Sequence, residues 1–245
     1  MIKERTMKRL IPILSIFLVF TACEDPEPDN PVLRINFKLA YNGQEINLYD
    51  EVTDSNGDVL KFETLKIYAS DFEMDDKNDL GFPDVQLINF NSSDDRFVEL
   101  ELEPGTYSKL DFGIGLTPDL NATDPVAVPD TDPLSATQAM YWTWASKYIF
   151  YKIEGRADTG NGSFDHFFLY HVGTDDLFRH TQELEVNLNL DNGDFRTVDV
   201  WIDLANVFEG NGAISIRDEP ASHTLDHYDI AEKMADKFVD AFVVE

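Results

Sequence analysis

Apolar and polar residues alternate along several stretches of this chain. Every second residue is apolar in residues 33–39, 98–102 and 184–190, which is the pattern of β-strands with one face buried and the other in water. Other runs that are rich in apolar residues predict further strands. These lie at residues 45–48, 60–69, 85–90, 107–116, 148–154, 164–172 and 197–204.

Turn sequences separate the predicted strands. The tetrapeptide EPGT at residues 103–106 turns the chain into the strand at 107–116. The tetrapeptide DNGD at residues 191–194 predicts a hairpin between the strands on either side of it. This series of strands, without an internal repeat, predicts a mainly β protein that forms a single antiparallel β-sandwich domain.

Two segments depart from the alternating pattern. Residues 117–133 hold four prolines and four aspartates, which predicts a long loop just before the aromatic segment MYWTW. Near the C-terminus, apolar residues recur at helical spacing, which predicts one C-terminal helix with an Asp226 or Asp229 cap. The recurring residues are Ile230, Met234, Phe238 and Phe242.

The first residues have the pattern of an export signal. A basic start is followed by the apolar run LIPILSIFLVF, which is too short to span a bilayer as a stable anchor. We therefore expect residues 1–22 to be a signal peptide. The small residues before Cys23 resemble a lipobox, so we expect Cys23 to be lipidated and residues 23–31 to form an acidic, proline-rich tether. The folded domain is then expected over residues 32–245.

The charge and residue composition of the chain exclude or disfavour several classes of function. A formal net charge of −28 disfavours binding to nucleic acid through a basic patch. The single cysteine excludes an intrachain disulfide and any metal site with several cysteines. Asp75, Asp76 and Asp79 suggest a calcium loop, but Lys77 occupies a ligand position, so a solvated acidic turn is favoured over calcium. The sequence contains no enzyme motif such as a P-loop, a G-x-S-x-G elbow or HExxH.

All five histidines lie in the last third of the chain. His166 and His171 share one predicted strand, where an offset of five places them on opposite faces. His223 and His227 are spaced to share one face of a helix, as in a two-histidine metal site. For each histidine, a surface or hydrogen-bonded role is the competing interpretation.

Aromatic residues are densest in residues 135–155, where Trp142 and Trp144 would face the same side of a strand. Core packing would explain such a segment. The nearby Met140 offers a second interpretation, because its thioether is a soft ligand that suits Cu(I).

The stretch PLSATQAMYWTWASKYIFYKIEG from Pro133, followed by FFLYHVG from Phe167, resembles the MbnP-like family of periplasmic or lipid-anchored proteins. The similarity extends across the expected domain. LRINFKLAYNG, LKFETLKIYASDF, LEPGTYSKLDFGIGL and the terminal IAEKMADKFVDAF occur in the order that the family shows.

In that family the first tryptophan of the W-x-W motif is oxidised to kynurenine by a partner di-haem peroxidase of the MauG type. The modified residue then helps to bind a single copper ion. The resemblance implies that Trp142 is the oxidised residue and Trp144 its motif partner. It also implies that His171 and His223 are copper ligands, with Met140 as an additional candidate.

By this resemblance the protein is not an enzyme but the substrate of one. We expect a lipoprotein of the cell envelope, held to outer-membrane lipid through Cys23 on the periplasmic face or the cell surface. It would bind Cu(I) in copper acquisition or homeostasis, with His166 and His227 as reserve ligands. The alternative is a β-sandwich surface lipoprotein that binds a glycan or another envelope protein through its aromatic residues.

Overall fold

The computed structural model describes residues 29–75, 82–143 and 147–244. The expected signal peptide, Cys23 and most of the expected tether lie outside these residues. The strands are β1 (Val32–Tyr41), β2 (Gln44–Ile46), β3 (Glu51–Thr53), β4 (Val59–Met74), β5 (Val85–Asn89), β6 (Phe97–Glu101), β7 (Gly105–Ile114), β8 (Tyr141–Trp142), β9 (Lys147–Asp158), β10 (His166–Gly173), β11 (Arg179–His180), β12 (Leu184–Leu190), β13 (Phe195–Asp203), β14 (Ala221–Ser222) and β15 (Phe242–Val244). The α-helices are α1 (Pro118–Asn121), α2 (Ala205–Phe208) and α3 (Tyr228–Phe238).

The strands form two sheets, which confirms the sandwich-like, mainly β prediction. The smaller sheet has the order β15-β13-β1-β2, with β6 also paired to β1. The larger sheet has the order β11-β7-β4-β9-β10-β14, and β12, β3, β5 and β8 pair with its members. Each strand predicted from the alternating pattern is present, with ends that differ by a few residues.

The pairing departs from the predicted antiparallel scheme in two places. β1 and β13 run parallel along nearly their whole length, from the pair Val32 and Phe195 to the pair Ala40 and Asp203. β10 and β14 also run parallel. Alternation of apolar residues fixes which face of a strand is buried but leaves its direction and its neighbour open.

The predicted hairpin at residues 191–194 is wrong. The turn forms, with a hydrogen bond from Asp194 N to Asp191 O and a positive φ at Gly193. However, β12 before it pairs with β7 in the larger sheet, whereas β13 after it pairs with β1 and β15 in the smaller sheet. The turn therefore carries the chain from one sheet to the other, since a local turn sequence does not decide which strands pair.

Aromatic side chains fill the space between the sheets. Phe37 of the smaller sheet packs edge-on against Phe112 of the larger sheet, with ring centroids 5.7 Å apart. Within the larger sheet, Phe62 packs against Phe168 in the same way at 5.6 Å. All four side chains are nearly completely buried, so each contributes about 2–3 kcal/mol of apolar burial to folding.

The predicted C-terminal helix is present as α3, but its ends differ from the prediction. His227 is the N-cap residue and makes no side-chain capping bond, so the predicted Asp226 or Asp229 cap is wrong. Asp226 bonds His223 instead. Phe242 lies in β15, beyond the helix. Within the described residues, no helix has the length and apolar character needed to cross a membrane.

The predicted long loop at residues 117–133 contains only the single turn of α1. Two buried tyrosines form hydrogen bonds with the last residue of this loop and with the residue after it. Tyr68 donates a hydrogen bond to the carbonyl of Pro133, and Tyr148 donates one to the carbonyl of Leu134, both at 2.8 Å. These two hydrogen bonds hold the end of the loop against the larger sheet, shortly before β8 begins.

Candidate metal centre

Three aromatic rings from distant parts of the chain meet on the larger sheet. The ring centroid of Trp142 lies 5.6 Å from that of His171 and 6.0 Å from that of His223. The two imidazole centroids lie 5.2 Å apart, with the ring planes at 86°. These are the three residues that the family resemblance implied.

The backbone around β10 sets the distance between the two histidines. His171 lies on β10, and β14 pairs with β10 just before His223. Thr224, fully buried, donates from Oγ1 to the carbonyl of His171 at 2.8 Å. Thr224 has φ 66°, a left-handed conformation that is unfavourable for a β-branched residue. Its hydrogen bond to the His171 carbonyl opposes this strain and keeps His223 beside His171.

Two lysines hold the segment that carries Trp142. Lys66 donates to the carbonyl of Gln138 at 3.0 Å, and Lys152 donates to the carbonyl of Ala139 at 3.1 Å. Lys66 and Lys152 are direct cross-strand partners on β4 and β9, an arrangement that repels when both are charged. Each ammonium donates to a different backbone carbonyl, so the two lysines together hold two successive residues, Gln138 and Ala139, just before β8.

His171 is mostly buried, with 12% of its side chain exposed, and its Nε2 lies 2.7 Å from Oε1 of Glu154. Burial lowers the pKa of the imidazole, the Glu154 contact opposes this, and the positive charge of Lys152 adds to it. The hydrogen bond from His171 lowers the pKa of Glu154. At neutral pH a neutral imidazole therefore faces an ionised carboxylate.

The other ring nitrogen of His171 has no hydrogen-bond partner among the described residues. An ionised carboxylate only accepts hydrogen bonds, so the proton of the neutral ring is on Nε2 and Nδ1 carries a lone pair. Nδ1 is buried and makes no hydrogen bond with any described atom. A buried nitrogen lone pair without a partner is costly, and a metal ion is one group that would satisfy it.

His223 is more exposed, at 38% of its side chain, and also bears a carboxylate partner. Its Nδ1 lies 3.0 Å from Oδ2 of Asp226, and its backbone N–H donates to Oδ1 of the same residue at 2.7 Å. Although partial burial acts in the opposite direction, these bonds lower the pKa of Asp226. They leave Nε2 of His223 as its acceptor atom.

The other predicted residues differ in their surroundings. Met140 is 1% exposed among the core hydrophobic residues. The Nε2 of His166 lies 2.8 Å from the Ile216 carbonyl. His227 is exposed at the start of α3, and His223 precedes that helix, so the predicted helical pair of His223 and His227 is wrong.

Some predicted residues lie outside the described part of the chain. These are Trp144, Cys23 and the Asp76 and Asp79 of the disfavoured calcium loop. Asp75, which is described, accepts hydrogen bonds from Ser108 and from the backbone of Lys109.

Sequence reasoning missed the polar residues around the three rings. Glu154 stood in a predicted strand as one of many acids, and Asp226 was expected to cap a helix. Lys66, Lys152 and Thr224 had no distinguishing local pattern. The cross-strand register of β4, β9 and β10 places Lys66, Lys152 and Glu154, and the pairing of β14 with β10 places Thr224 and Asp226.

The donor set fits a metal ion that prefers nitrogen. Two imidazoles, each with a carboxylate on one ring nitrogen, form the usual outer arrangement of histidine ligands. Imidazole suits copper, zinc, iron and nickel. Within the described ranges, no three histidine, cysteine, aspartate or glutamate side chains form a ready metal site. The third group against the imidazoles is the indole of Trp142, which offers only an N–H donor.

Comparison with known proteins agrees with the resemblance seen in the sequence. The protein family MbnP matches residues 30–225. The solved structure of MbnP from Methylosinus trichosporium superposes with a TM-score of 0.51 and 19% sequence identity, covering 78% of this chain and 79% of that chain. A comparison with curated proteins gives no match. The structural match shows a shared fold.

Proposed function

Because this chain belongs to the MbnP family, we propose that it binds a single copper ion through Trp142, His171 and His223. The proposed role is copper acquisition or homeostasis at the cell envelope. The observation that supports it is the meeting of these three rings, whose centroids lie within 6.0 Å of one another. In addition, a buried ring nitrogen of His171 has no hydrogen-bond partner in the described part of the chain.

The proposal includes an oxidation of Trp142. Its indole has no lone pair for a metal, whereas kynurenine carries an aromatic amine and a ketone. A di-haem peroxidase of the MauG type would catalyse the oxidation, with peroxide as the oxidant. Two oxygen atoms would open the indole ring, the peroxide being reduced to water, and hydrolysis would release the lost ring carbon as formate. This protein would thus be the substrate of an enzyme and not itself an enzyme. Two imidazoles and an aromatic amine make a low-coordinate nitrogen set of the kind that suits Cu(I).

The residues of this chain would have separate tasks at the site. His171 and His223 would supply nitrogen lone pairs, while Lys66 and Lys152 hold the backbone that presents Trp142. The contribution of Met140 stays open to test by a Met140→Leu variant, because its thioether is a soft ligand but its side chain lies in the core.

The envelope location is proposed from the sequence of the first residues. Lipidation of Cys23 would tie the chain to outer-membrane lipid by a tether that meets the domain near Asp29. The carbonyl of Asp29 accepts a hydrogen bond from Gly193 N at 2.7 Å. The tether would thus reach the sandwich at the turn between β12 and β13.

The competing function is a surface module that binds a glycan or an envelope protein through exposed tryptophans. The half-buried ring of Trp142, which packs on two imidazoles and on the core, favours the metal site over a glycan platform. Acrylamide quenching of tryptophan fluorescence separates the two functions, because a glycan platform requires rings that are readily quenched.

The test is mass mapping of the tryptic peptide 110–147, which holds Trp142 and Trp144, from protein isolated from its native membrane. Kynurenine raises the peptide mass by about 4 Da, and fragmentation locates the change. We expect the shift on Trp142, together with weaker copper binding in a Trp142→Phe variant made in the same cells. An unmodified peptide from both copper-starved and copper-fed cells would refute the proposal.

A further inference from the structure

Each imidazole of the candidate centre has a carboxylate on one nitrogen, and the two carboxylates come from different elements. Glu154 lies on β9 and reaches His171 on the neighbouring β10, at 2.7 Å. Asp226 lies three residues after His223 in the same loop and reaches it at 3.0 Å. Each histidine therefore has a carboxylate of its own, while the bond from Thr224 to the His171 carbonyl joins their backbones.

The carboxylates contact opposite nitrogens of the two rings. Glu154 contacts Nε2 of His171, whereas Asp226 contacts Nδ1 of His223. Because an ionised carboxylate only accepts, each contacted nitrogen carries the proton of its neutral ring. The lone pairs are then left on Nδ1 of His171 and Nε2 of His223.

The contacts around both rings agree with these positions of the protons and lone pairs. Nδ1 of His171 is buried without a hydrogen-bond partner among the described atoms, as expected for a nitrogen reserved for another ligand. Asp226 is fixed by a second bond from the backbone N–H of His223, at 2.7 Å. Its carboxylate therefore cannot swing away without losing two hydrogen bonds.

We propose that Glu154 and Asp226 are positioning residues that hold His171 as its Nε2–H tautomer and His223 as its Nδ1–H tautomer. The tautomers follow from the contacts of Glu154 with Nε2 of His171 and of Asp226 with Nδ1 of His223. The consequence for copper, which rests on the proposed function, is a centre with mixed ligation through Nδ1 of His171 and Nε2 of His223.

Imidazole nitrogen NMR of the full chain, labelled with nitrogen-15 in its native host and stripped of metal, tests the assignment directly. Two-bond proton correlations distinguish the two tautomers of each histidine. We expect His171 as Nε2–H and His223 as Nδ1–H. Either ring found in the opposite tautomer would overturn the proposal for that ring.

Substitutions of Glu154 and Asp226 test whether these carboxylates determine the tautomers of the two histidines. Glu154→Gln and Asp226→Asn keep a carbonyl acceptor and should preserve the tautomers, whereas Glu154→Leu and Asp226→Leu should give mixtures at the affected ring only. Glu63→Leu is the matched control, because Glu63 pairs with Arg156 on the same sheet and not with a histidine. Unchanged tautomers in both leucine variants would refute the positioning role.

Copper competition with a chelator separates this inference from the function it extends. Each leucine variant should lose about 10- to 100-fold in copper affinity, as is typical when the carboxylate behind a histidine ligand is removed, and the amide variants should lose less. If the tautomers behave as expected but the wild type binds no copper, the positioning role stands and the copper function fails. If the leucine variants bind copper as tightly as the wild type, the positioning role in ligation fails and the copper function stands.

Discussion

The imidazole of His171 stands edge-on to that of His223, at 86° and with ring centroids 5.2 Å apart. The two residues are 52 positions apart in the chain, and the backbone between them leaves the larger sheet and returns to it at β14. The bond from Thr224 to the His171 carbonyl closes this return. A centre made of these two rings thus depends on tertiary pairing as much as on residue identity.

Removal of either imidazole should abolish tight copper binding. We expect His171→Ala and His223→Ala each to lower copper affinity by about 100-fold or more, because loss of a ligand costs more than loss of its carboxylate partner. His166→Ala and His227→Ala are controls, since His166 bonds a carbonyl and His227 is exposed. Chelator competition measures all four variants. Equal losses in the controls would contradict the assignment.

The lysine contacts predict a local effect on Trp142. Lys152→Met keeps the length of the side chain but leaves the Ala139 carbonyl without its donor. Because this hydrogen bond is exposed, we expect a loss of about 0.5–1.5 kcal/mol in the free energy of unfolding. We also expect easier acrylamide quenching of Trp142, measured with the other two tryptophans replaced by phenylalanine. Lys61→Met, which removes an ion pair with the exposed Glu51 on a different part of the sheet, should change each value little. Unaltered quenching in Lys152→Met would show that the contact does not hold the segment.

Tyr148 predicts a dependence of stability on alkaline pH. The phenol is buried and bonds the Leu134 carbonyl, and burial raises its pKa to about 12. In the unfolded chain the phenol titrates near pH 10. A raised pKa contributes stability that is complete below pH 10 and is lost as pH rises towards 12.

Tyr148→Phe should therefore be less stable than the wild type by about 1 kcal/mol at pH 8, because it lacks the hydrogen bond. That difference should shrink by about 1 kcal/mol by pH 11, because only the wild type has this proton to lose. Urea denaturation of both proteins at pH 8, 10 and 11 gives the comparison. A difference that stays constant across this range would contradict the buried phenol.

Gly155, which neighbours Glu154 on β9, lies where the packing leaves no room for a side chain. A Cβ atom at this position of β9 would collide with the Lys61 carbonyl and with the ring of Phe168. We expect Gly155→Ala to destabilise the fold by about 1–3 kcal/mol and to displace the neighbouring Glu154. Gly105→Ala is the matched control, since its nearest neighbour would be Tyr107 at 3.8 Å, and should shift the unfolding midpoint little. Equal midpoints for the two variants would refute the close packing.

The strands were predictable because alternation reports burial at each position. In β1, the buried residues Leu33, Ile35, Phe37 and Leu39 follow the alternation seen in the sequence. The pairing was not predictable in the same way. The turn at residues 191–194 looked like a hairpin, yet its strands lie in different sheets, because contacts with β7 and β1 outweigh the local preference.

The candidate residues were found by resemblance, and their roles as ligands stay predictions. Spacing alone gave a misleading pair, since His223 and His227 do not share a helix face. The carboxylates that orient the rings had no local signal, because acids are abundant throughout this chain.

The sequence by itself determined the positions of the longer strands, the C-terminal helix and the membership in a family. These properties follow from local periodicity and from motifs that are contiguous in the chain. Only the tertiary structure decided that Trp142, His171 and His223 meet, and that Glu154 rather than another acid faces His171. The physical reason is that cross-strand register and sheet crossing depend on contacts between residues far apart in the chain, which no local pattern encodes.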